Sequence, residues 1–443
     1  MTLEHLDHFR CINSGKTWPA NEALATDLWT NPEYGRDGIL SLEYDLDRVR
    51  HALHLTDFAK RPWSLGHWRY HELLPIANAP DWPQNVSGSG EASVFPALQV
   101  GGTPLSESPR LAAELGIGQV WLKDDGRNAS GSLKDRPSSL GAVKAMEAGA
   151  KHAAAASTGN AASSFAASCA ALGLPCTIFV PERAPRPKVV QLLMFGARVL
   201  RIQADYDTTW ELCRQAAEQF GWYSRNCAVN PYLVEGKKTC ALEIVEQLNP
   251  KYGFAHPTKM PDWIVASIGD GCTMAALAKG FREMHALGLA SHVPRMLGTQ
   301  AVGADPITQA WEQKADGVPT LTDATTIADS ICVGRPANGL RCLQAINETE
   351  GAMISVDDDA TMEAARVQAR LTGIFGEPAA ANATAGLWEA RRRRIVGINE
   401  TAVIVVSGNG LKDSATAAQA VGDPLDVAPT LDAVGEIIDS ASD

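Results

Sequence analysis

Asn128-Ala129-Ser130-Gly131-Ser132-Leu133-Lys134-Asp135-Arg136 sets a lysine in a Gly/Ser turn, directly ahead of a run with Leu140, Val143 and Met146 at helical spacing. A lysine in that setting can form an imine with a carbonyl. The hydroxyls of Ser130 and Ser132, with a helix N-terminus behind them, offer donors to an anion. Gln119-Val120-Trp121-Leu122-Lys123 reads as the short buried strand that feeds the turn. Most lysines at helix starts are solvated surface charges, so the stretch needs an answer from elsewhere in the chain.

Outward from it, strand and helix patterns alternate. The spacing predicts strand 153–156, helix 161–172, strand 176–180, helix 186–195, strand 198–202 and helix 206–220. A second series follows, with strand 263–267, a helix from Thr273, strand 296–301, helices 359–372 and 380–392, and strand 402–406. Pro/Asn-rich stretches near 182–188 and 226–236 read as loops. Pro137 reads as the first residue of a helix that starts one turn late. This alternation predicts an α/β protein, two lobes of parallel sheet with helices on both faces.

Open α/β sheets bind ligands at the carboxyl ends of their strands. Three stretches fall there: Ser157-Thr158-Gly159-Asn160, Gly269-Asp270-Gly271-Cys272-Thr273, and Ser407-Gly408-Asn409-Gly410-Leu411-Lys412-Asp413. The second offers backbone N–H groups to a phosphate, helped by the helix dipole, although it is neither a Walker loop nor GxGxxG. The first could hold a carboxylate by the same physics; its bland reading is an N-cap with a glycine turn. With Lys134, these stretches make a pyridoxal-phosphate enzyme the leading reading.

Composition limits the other classes. The 443 residues are 45% hydrophobic and 20% charged, and a net charge of −12 argues against a nucleic-acid surface. No apolar run is long enough to cross a bilayer, and the N-terminus lacks a signal-peptide layout, so a cytoplasmic protein is expected. The nine cysteines are scattered without a CxxC pair, and Cys169, Cys176 and Cys240 lie in apolar patterns that suit reduced core residues. Arg391 to Arg394 read as a solvated helix end.

Residues 1–95 have another texture, rich in Trp, Asn, Asp and Pro. Cys11-Ile12-Asn13-Ser14-Gly15-Lys16 has the frame of a zinc-ribbon knuckle with serine as its second ligand, and Asn31-Pro32-Glu33-Tyr34-Gly35 carries no cysteine at all. One thiolate cannot make a four-coordinate structural site. His5 and His8 flank Cys11 at spacings of three, but a solvated terminus with no metal is the reading adopted.

Taken together, these residues resemble the threonine synthases, in the tryptophan-synthase-β-like group (fold type II) of pyridoxal-phosphate enzymes. The similarity runs from the ribbon frame and Leu42-Glu43-Tyr44-Asp45-Leu46 through Gly101 to Leu105 and the lysine loop. It continues in Asn230-Pro231-Tyr232 with Glu235-Gly236, Gly298 to Gly303, Glu377-Pro378-Ala379 and the terminal Gly408 to Asp413. The resemblance implies a division into 1–95 (N-terminal extension with a metal-free ribbon remnant), 96–147 with 229–443 (large cofactor domain), and 148–228 (small α/β domain).

It also implies roles. Lys134 would hold pyridoxal 5'-phosphate as an internal Schiff base and move the Cα proton. Gly269, Asp270, Gly271, Cys272 and Thr273 would bind the cofactor phosphate, Asn160 the ring hydroxyl, and Ser407 would face the pyridine nitrogen. Ser157, Thr158, Gly159 and Asn160 would receive the substrate carboxylate. Ser130, Ser132, Lys123, Arg225 and Lys238 complete the expected substrate contacts, with Arg127 and Lys237 as further cations to hand. No metal is expected, and a homodimer with a small amino-acid substrate is what the resemblance suggests.

The implied activity is elimination or replacement on a β- or γ-substituted L-amino acid, most like the conversion of O-phosphohomoserine and water to threonine and phosphate. Departures weaken that substrate: Leu233 stands where the family usually carries arginine, Lys237 replaces a common glutamine, and Asp270 and Cys272 replace commoner Asn and Gly. The alternatives are a β-eliminating ammonia-lyase (dehydratase), or a β-replacement enzyme on a phosphoserine- or hydroxyaspartate-like amino acid. More remote are a non-catalytic cofactor-binding relic and a nucleotide-binding α/β protein.

Overall fold

The structure is a computed structural model and describes residues 2–53, 60–77, 95, 98–157, 159–182, 184, 186–204, 206–227, 229–249 and 256–440. The expected substrate contact Thr158 lies outside the described residues. Near the N-terminus, β1 (Leu6–Cys11), β2 (Thr17–Pro19) and β3 (Leu40–Tyr44) form an antiparallel sheet in the order β2-β1-β3. Leu40, Leu42 and Tyr44 alternate inward along β3, as the two-residue strand period requires. Phe9 meets Tyr232 edge to face at 6.4 Å and joins this sheet to the main core.

The second sheet opens with β4 (Leu105–Glu107) and β5 (Gln119–Asp124). The chain then leaves it to build β6 (Ala153–Ala156), β7 (Cys176–Pro181), β8 (Arg198–Ile202) and β9 (Tyr223–Ser224), a parallel sheet in the order β8-β7-β6-β9. It returns for β10 (Trp263–Ser267), β11 (Arg295–Ala301), β12 (Ala352–Val356) and β13 (Thr401–Val406), completing the order β12-β11-β10-β13-β5-β4. All six strands of this sheet pair in parallel except β4, which runs antiparallel to β5. The all-parallel expectation is corrected there: β4 is short and at the edge, where no crossover helix has to follow it.

The helices that carry the site are α1 (Asp135–Glu147), α2 (Asn160–Leu172), α3 (Tyr232–Gln247), α4 (Cys272–Ala286), α5 (Gly339–Glu348) and α6 (Pro378–Arg392). Helix α1 starts at Asp135, not at Pro137. Its first-turn N–H groups have no carbonyl four residues back, so the proline sacrifices nothing there.

Helix α3 replaces the tail of the loop expected near 226–236. Its pattern was hidden because its buried faces carry charge: Glu235, Lys237, Lys238 and Glu243 are all almost fully buried. Three of the four are paired inside the core. Glu243 meets Lys123 and Arg136 at 2.7 Å each, and Lys238 and Lys279 meet Glu235 at 2.7 and 2.6 Å. Buried charge of this kind is tolerated only when compensated at close range. Lys237 is the exception, and it points to the site.

Arg391 and Arg392 end α6, with Arg391 Nε donating to the Gly116 carbonyl at 2.8 Å. All nine cysteines are free thiols. No helix among the described residues is long and apolar enough to cross a membrane.

Candidate active site

Lys134 caps α1, and its loop is stitched to the end of β13. The Leu133 N–H donates to the Ser407 carbonyl at 2.8 Å, Asn409 N–H donates to the Gly131 carbonyl at 2.9 Å, and Ser132 bridges Gly408. Lys412 Nζ donates to the Ser130 carbonyl at 2.8 Å and to Ser163 Oγ at 3.1 Å, tying the terminal motif to α2 as well. Two segments almost three hundred residues apart therefore fix the lysine. The Ser132 hydroxyl is buried with no partner among the described residues.

Around Lys134 gather Lys237 from α3, Arg225 just after β9, Cys227, and Cys272 from the first turn of α4. Arg225 Nη1 lies 3.4 Å from Cys227 Sγ and Lys237 Nζ 3.7 Å from the same sulfur. Burial, then the positive charge of Lys237, with Arg225 adding to it, hold the Lys134 amine below the usual lysine range. Cys227 is held well below the usual thiol range, chiefly by a hydrogen bond from Cys272, and the Cys272 thiol is pushed up by the same contact. Arg225 Nε donates to Ser138 Oγ at 3.2 Å, while its buried Nη2 has no partner among the described residues. No carboxylate ion pair among the described residues involves Arg225 or Lys237; both lie against the Cys227 sulfur, whose lowered pKa favours the thiolate, so the pocket sets two cations and one sulfur beside the Lys134 amine.

The phosphate-type loop follows β10. Gly271 takes φ +87° at the N-cap of α4, and a Cβ there would stand 2.6 Å from the Asn338 carbonyl and 2.8 Å from Cys342 Cβ. Only glycine fits. Asp270 is turned to structure: its Oδ1 accepts the Ala337 N–H at 3.2 Å, and its carbonyl accepts the Asn338 N–H at 2.9 Å. The first-turn N–H groups of α4, without helical acceptors, are the donors left for an anion.

Asn160 opens α2 and donates Nδ2 to Glu377 Oε1 at 2.7 Å, both side chains buried. Glu377 N–H in turn donates to the Gly408 carbonyl at 3.0 Å, and a Cβ at 408 would strike the Glu377 carboxyl at 2.1 Å. Burial raises the Glu377 carboxyl above the usual range, against the opposing charge of Lys412 and Lys188. Ser157 Oγ accepts the Gly159 N–H at 3.2 Å in the turn before α2.

The structure thus gathers Lys134, Arg225 and Cys272 of the expected site into one cluster and ties Asn160 to Gly408, the residue after Ser407. It places two expected substrate contacts elsewhere. Lys123 Nζ spends its three donors on the Thr103 carbonyl, Glu243 and Gln247, and is fully buried. Lys238 is buried between Glu235 and Glu283, with its ammonium 3.9 Å from the Tyr44 ring centroid. Both are core cations without a donor to offer a substrate. Arg127 is exposed and pairs at 3.5 Å with Asp124. The residues not given a role in advance are Cys227 and Glu377, the latter visible only as part of a matching segment; Lys237 was named only as a further cation to hand and as a departure from the family.

Comparisons with known proteins agree with this geometry. A family model described as pyridoxal-phosphate dependent enzyme matches residues 97–408. The threonine synthase of Methanocaldococcus jannaschii is 33% identical over 94% of this chain and 96% of its own length, and that of Methanosarcina acetivorans 34% over 97% and 98%. Among solved structures, maize serine racemase superposes with a TM-score of 0.60 at 20% identity, covering 77% of this chain and 94% of that one. Threonine deaminase isoform 2 from Solanum lycopersicum gives 0.59 at 20% identity, over 72% and 87%. These likenesses show the shared fold, that of the fold type II enzymes.

Proposed function

We propose a reaction from one premise: the chain belongs to the pyridoxal-phosphate-dependent enzyme family and, within it, to the threonine synthases. It is a pyridoxal-phosphate-dependent lyase. The residues present fit that cofactor. Lys134 supplies an amine for its aldehyde, and residues 269–273 with the start of α4 supply a glycine-walled cradle for its phosphate. Asn160 is our candidate for the ring hydroxyl and Ser407 for the pyridine nitrogen. When bound, pyridoxal phosphate supplies a conjugated ring that withdraws electrons from the substrate Cα and acidifies its proton.

The chain's own groups do the rest. Lys134 Nζ, whose pKa burial and the neighbouring cations lower, takes the Cα proton. Ser157, Gly159 and Asn160 receive the substrate carboxylate at the N-terminus of α2, and Thr158, outside the described residues, is proposed for the same role from the sequence. The Ser407 hydroxyl, unlike a carboxylate, leaves the ring nitrogen unprotonated, which favours elimination and replacement over transamination or decarboxylation.

The observation that carries the substrate class is the pair Arg225 and Lys237 beside Lys134, two cations that share only the Cys227 sulfur, with Arg225 Nη2 left without a partner among the described residues. They suit an acidic tail on the amino acid, and with near full-length threonine synthase relatives the reading is O-phosphohomoserine plus water to threonine plus phosphate. Phosphate release and product identification from that substrate test it.

One observation favours a second reading. Leu233 is fully buried, and its Cδ2 lies 2.8 Å from where a Gly141 Cβ would stand, so this position contributes packing and no charge. Lys237 stands about one helical turn further along α3, about 6 Å away along the axis. A cation displaced by that distance suits a shorter acidic substrate, such as a phosphoserine- or hydroxyaspartate-like amino acid undergoing elimination or β-replacement.

We also propose the division 1–95, 96–147 with 229–443, and 148–228, which the three separate sheets support. Residues 1–95 are read as holding a ribbon remnant, since Asn31 Nδ2 reaches both Cys11 Sγ and Ser14 Oγ at 3.4 Å, joining the two knuckle positions by hydrogen bonds. A homodimer, as the resemblance implies, and a cytoplasmic address, as the composition suggests, complete the reading.

A further inference from the structure

Between the N-terminal sheet and helices α4 and α5 lies a small polar cleft, lined by Arg10 of β1, Ser41 of β3, Lys279 and Arg282 of α4, and Arg341 and Gln344 of α5. Four cations converge there from three elements, and Glu348 is the one acid in the lining. Three of the cations are matched. Arg10 pairs with Glu43 at 3.1 Å, Arg282 with Glu348 at 2.8 Å, and Lys279 with Glu235 at 2.6 Å.

Arg341 is not matched. It is 7% exposed, Nη2 donates to the Leu40 carbonyl, and Nε is buried with no partner among the described residues. No ion pair among the described residues includes it. Burial pulls its guanidinium below the usual arginine range, and Arg10 adds to the effect against the pull of Cys272, Glu235 and Glu43. A buried cation without a close counter-charge is costly, and a guanidinium with an open Nε has the planar fork that oxyanions accept.

We propose that this cleft is an anion-binding site, separate from the Lys134 pocket, for a small ligand bearing a phosphate or sulfate group. Lys279 lies seven residues into α4, about 10 Å along the helix from the cradle at Cys272, so one anion cannot serve both places. The site nevertheless touches the same framework. Arg341 precedes Cys342, whose Cβ walls Gly271, and Asn338, the N-cap of α5, donates its N–H to the Asp270 carbonyl. An anion here would link the N-terminal sheet to the two helices that shape the cofactor cradle. The inference is independent of which amino acid the enzyme turns over.

Two measurements on the cofactor-loaded protein test it. In crystals soaked with selenate, anomalous density is expected in the cleft within hydrogen-bond reach of Arg341 Nε. In solution, inorganic phosphate is expected to raise the Tm of the wild type, and to do so at concentrations at least tenfold lower than in Arg10→Ala/Arg282→Ala. Those two side chains are about 40% exposed in their ion pairs, and removing them leaves the core intact. Arg341→Met, which removes the buried charge itself, is expected to abolish the same response. An empty cleft in the soaked crystal overturns the proposal. So does an identical phosphate response in wild type and both variants, which would mark any selenate found as an adventitious ion only.

Discussion

Asn160 and Glu377, 217 residues apart in sequence, meet through a 2.7 Å hydrogen bond inside the core. The contact fixes which face of the Asn160 amide is free. One N–H of its NH₂ group is committed to Glu377, which leaves the carbonyl oxygen and the second N–H for the proposed contact with the ring hydroxyl of the cofactor. Gly408, against which the Glu377 carboxyl packs, leaves room for no other side chain there.

Glu377→Ala should therefore misplace Asn160 without unfolding the protein. Loss of positioning at that level costs on the order of a hundredfold in kcat/KM. Steady-state kinetics, with the absorbance of bound cofactor as a control for loading, check this. Unchanged kinetics would deny Glu377 a positioning role.

Lys237 is a like-charge neighbour of Lys134 and, after burial, contributes most to its lowered pKa. Lys237→Met should raise the Lys134 pKa, so that less free amine is present at neutral pH. The pH profile of cofactor loading, followed by absorbance, should move to higher pH than in the wild type. If Lys237 also receives the substrate tail, KM for an acidic substrate should rise while KM for an uncharged analogue does not.

Lys123 separates the structural cations from the functional ones. It is sealed against Glu243 at 2.7 Å, with Arg136 and Asp125 completing the network. Lys123→Met leaves that carboxylate short of one partner, and breaking a buried pair in this way costs about 3–5 kcal/mol. Urea denaturation should show that loss, while the folded fraction keeps its KM. A raised KM with unchanged stability would return Lys123 to the substrate site.

These three residues also show what could be read from the chain alone. The βα alternation was legible because β6, β10 and β13 are nearly continuous apolar runs, and the lysine loop because glycine and serine punctuate it. Helix α3 was not legible, because its core-facing positions carry Glu235, Lys238 and Glu243 and break any apolar stripe. The same residues explain why Lys123 and Lys238 looked available: a charge buried in an ion pair and a charge awaiting a substrate are spelled identically in sequence. Glu377 acquires its role only through contacts with Asn160 and Gly408, distant in the chain.

His67 gives a stability signature. It is fully buried, bonded at 3.0 Å to Ser139 Oγ, and burial followed by the charge of Arg136 lowers its pKa to about 3. The unfolded chain binds a proton below about pH 6.5 that the folded chain refuses, so this contribution is complete above pH 6.5 and is lost as pH falls toward 3. Between pH 6.5 and 4.5 the loss is roughly 2 kcal/mol. Asp135, pushed by burial to about 6, and Glu246, to about 7, slope the opposite way. The comparison that isolates His67 is the pH dependence of unfolding free energy in His67→Gln, which should lack this acid-side loss. Parallel profiles for the two proteins would show that His67 does not titrate with folding.

The most direct test is product analysis from O-phosphohomoserine, wild type beside Lys134→Ala, each incubated with pyridoxal phosphate. Threonine and inorganic phosphate in equal amounts from the wild type, and neither from the variant, is the predicted result. A wild type that binds the cofactor yet releases no phosphate and forms no threonine would contradict the threonine synthase reaction.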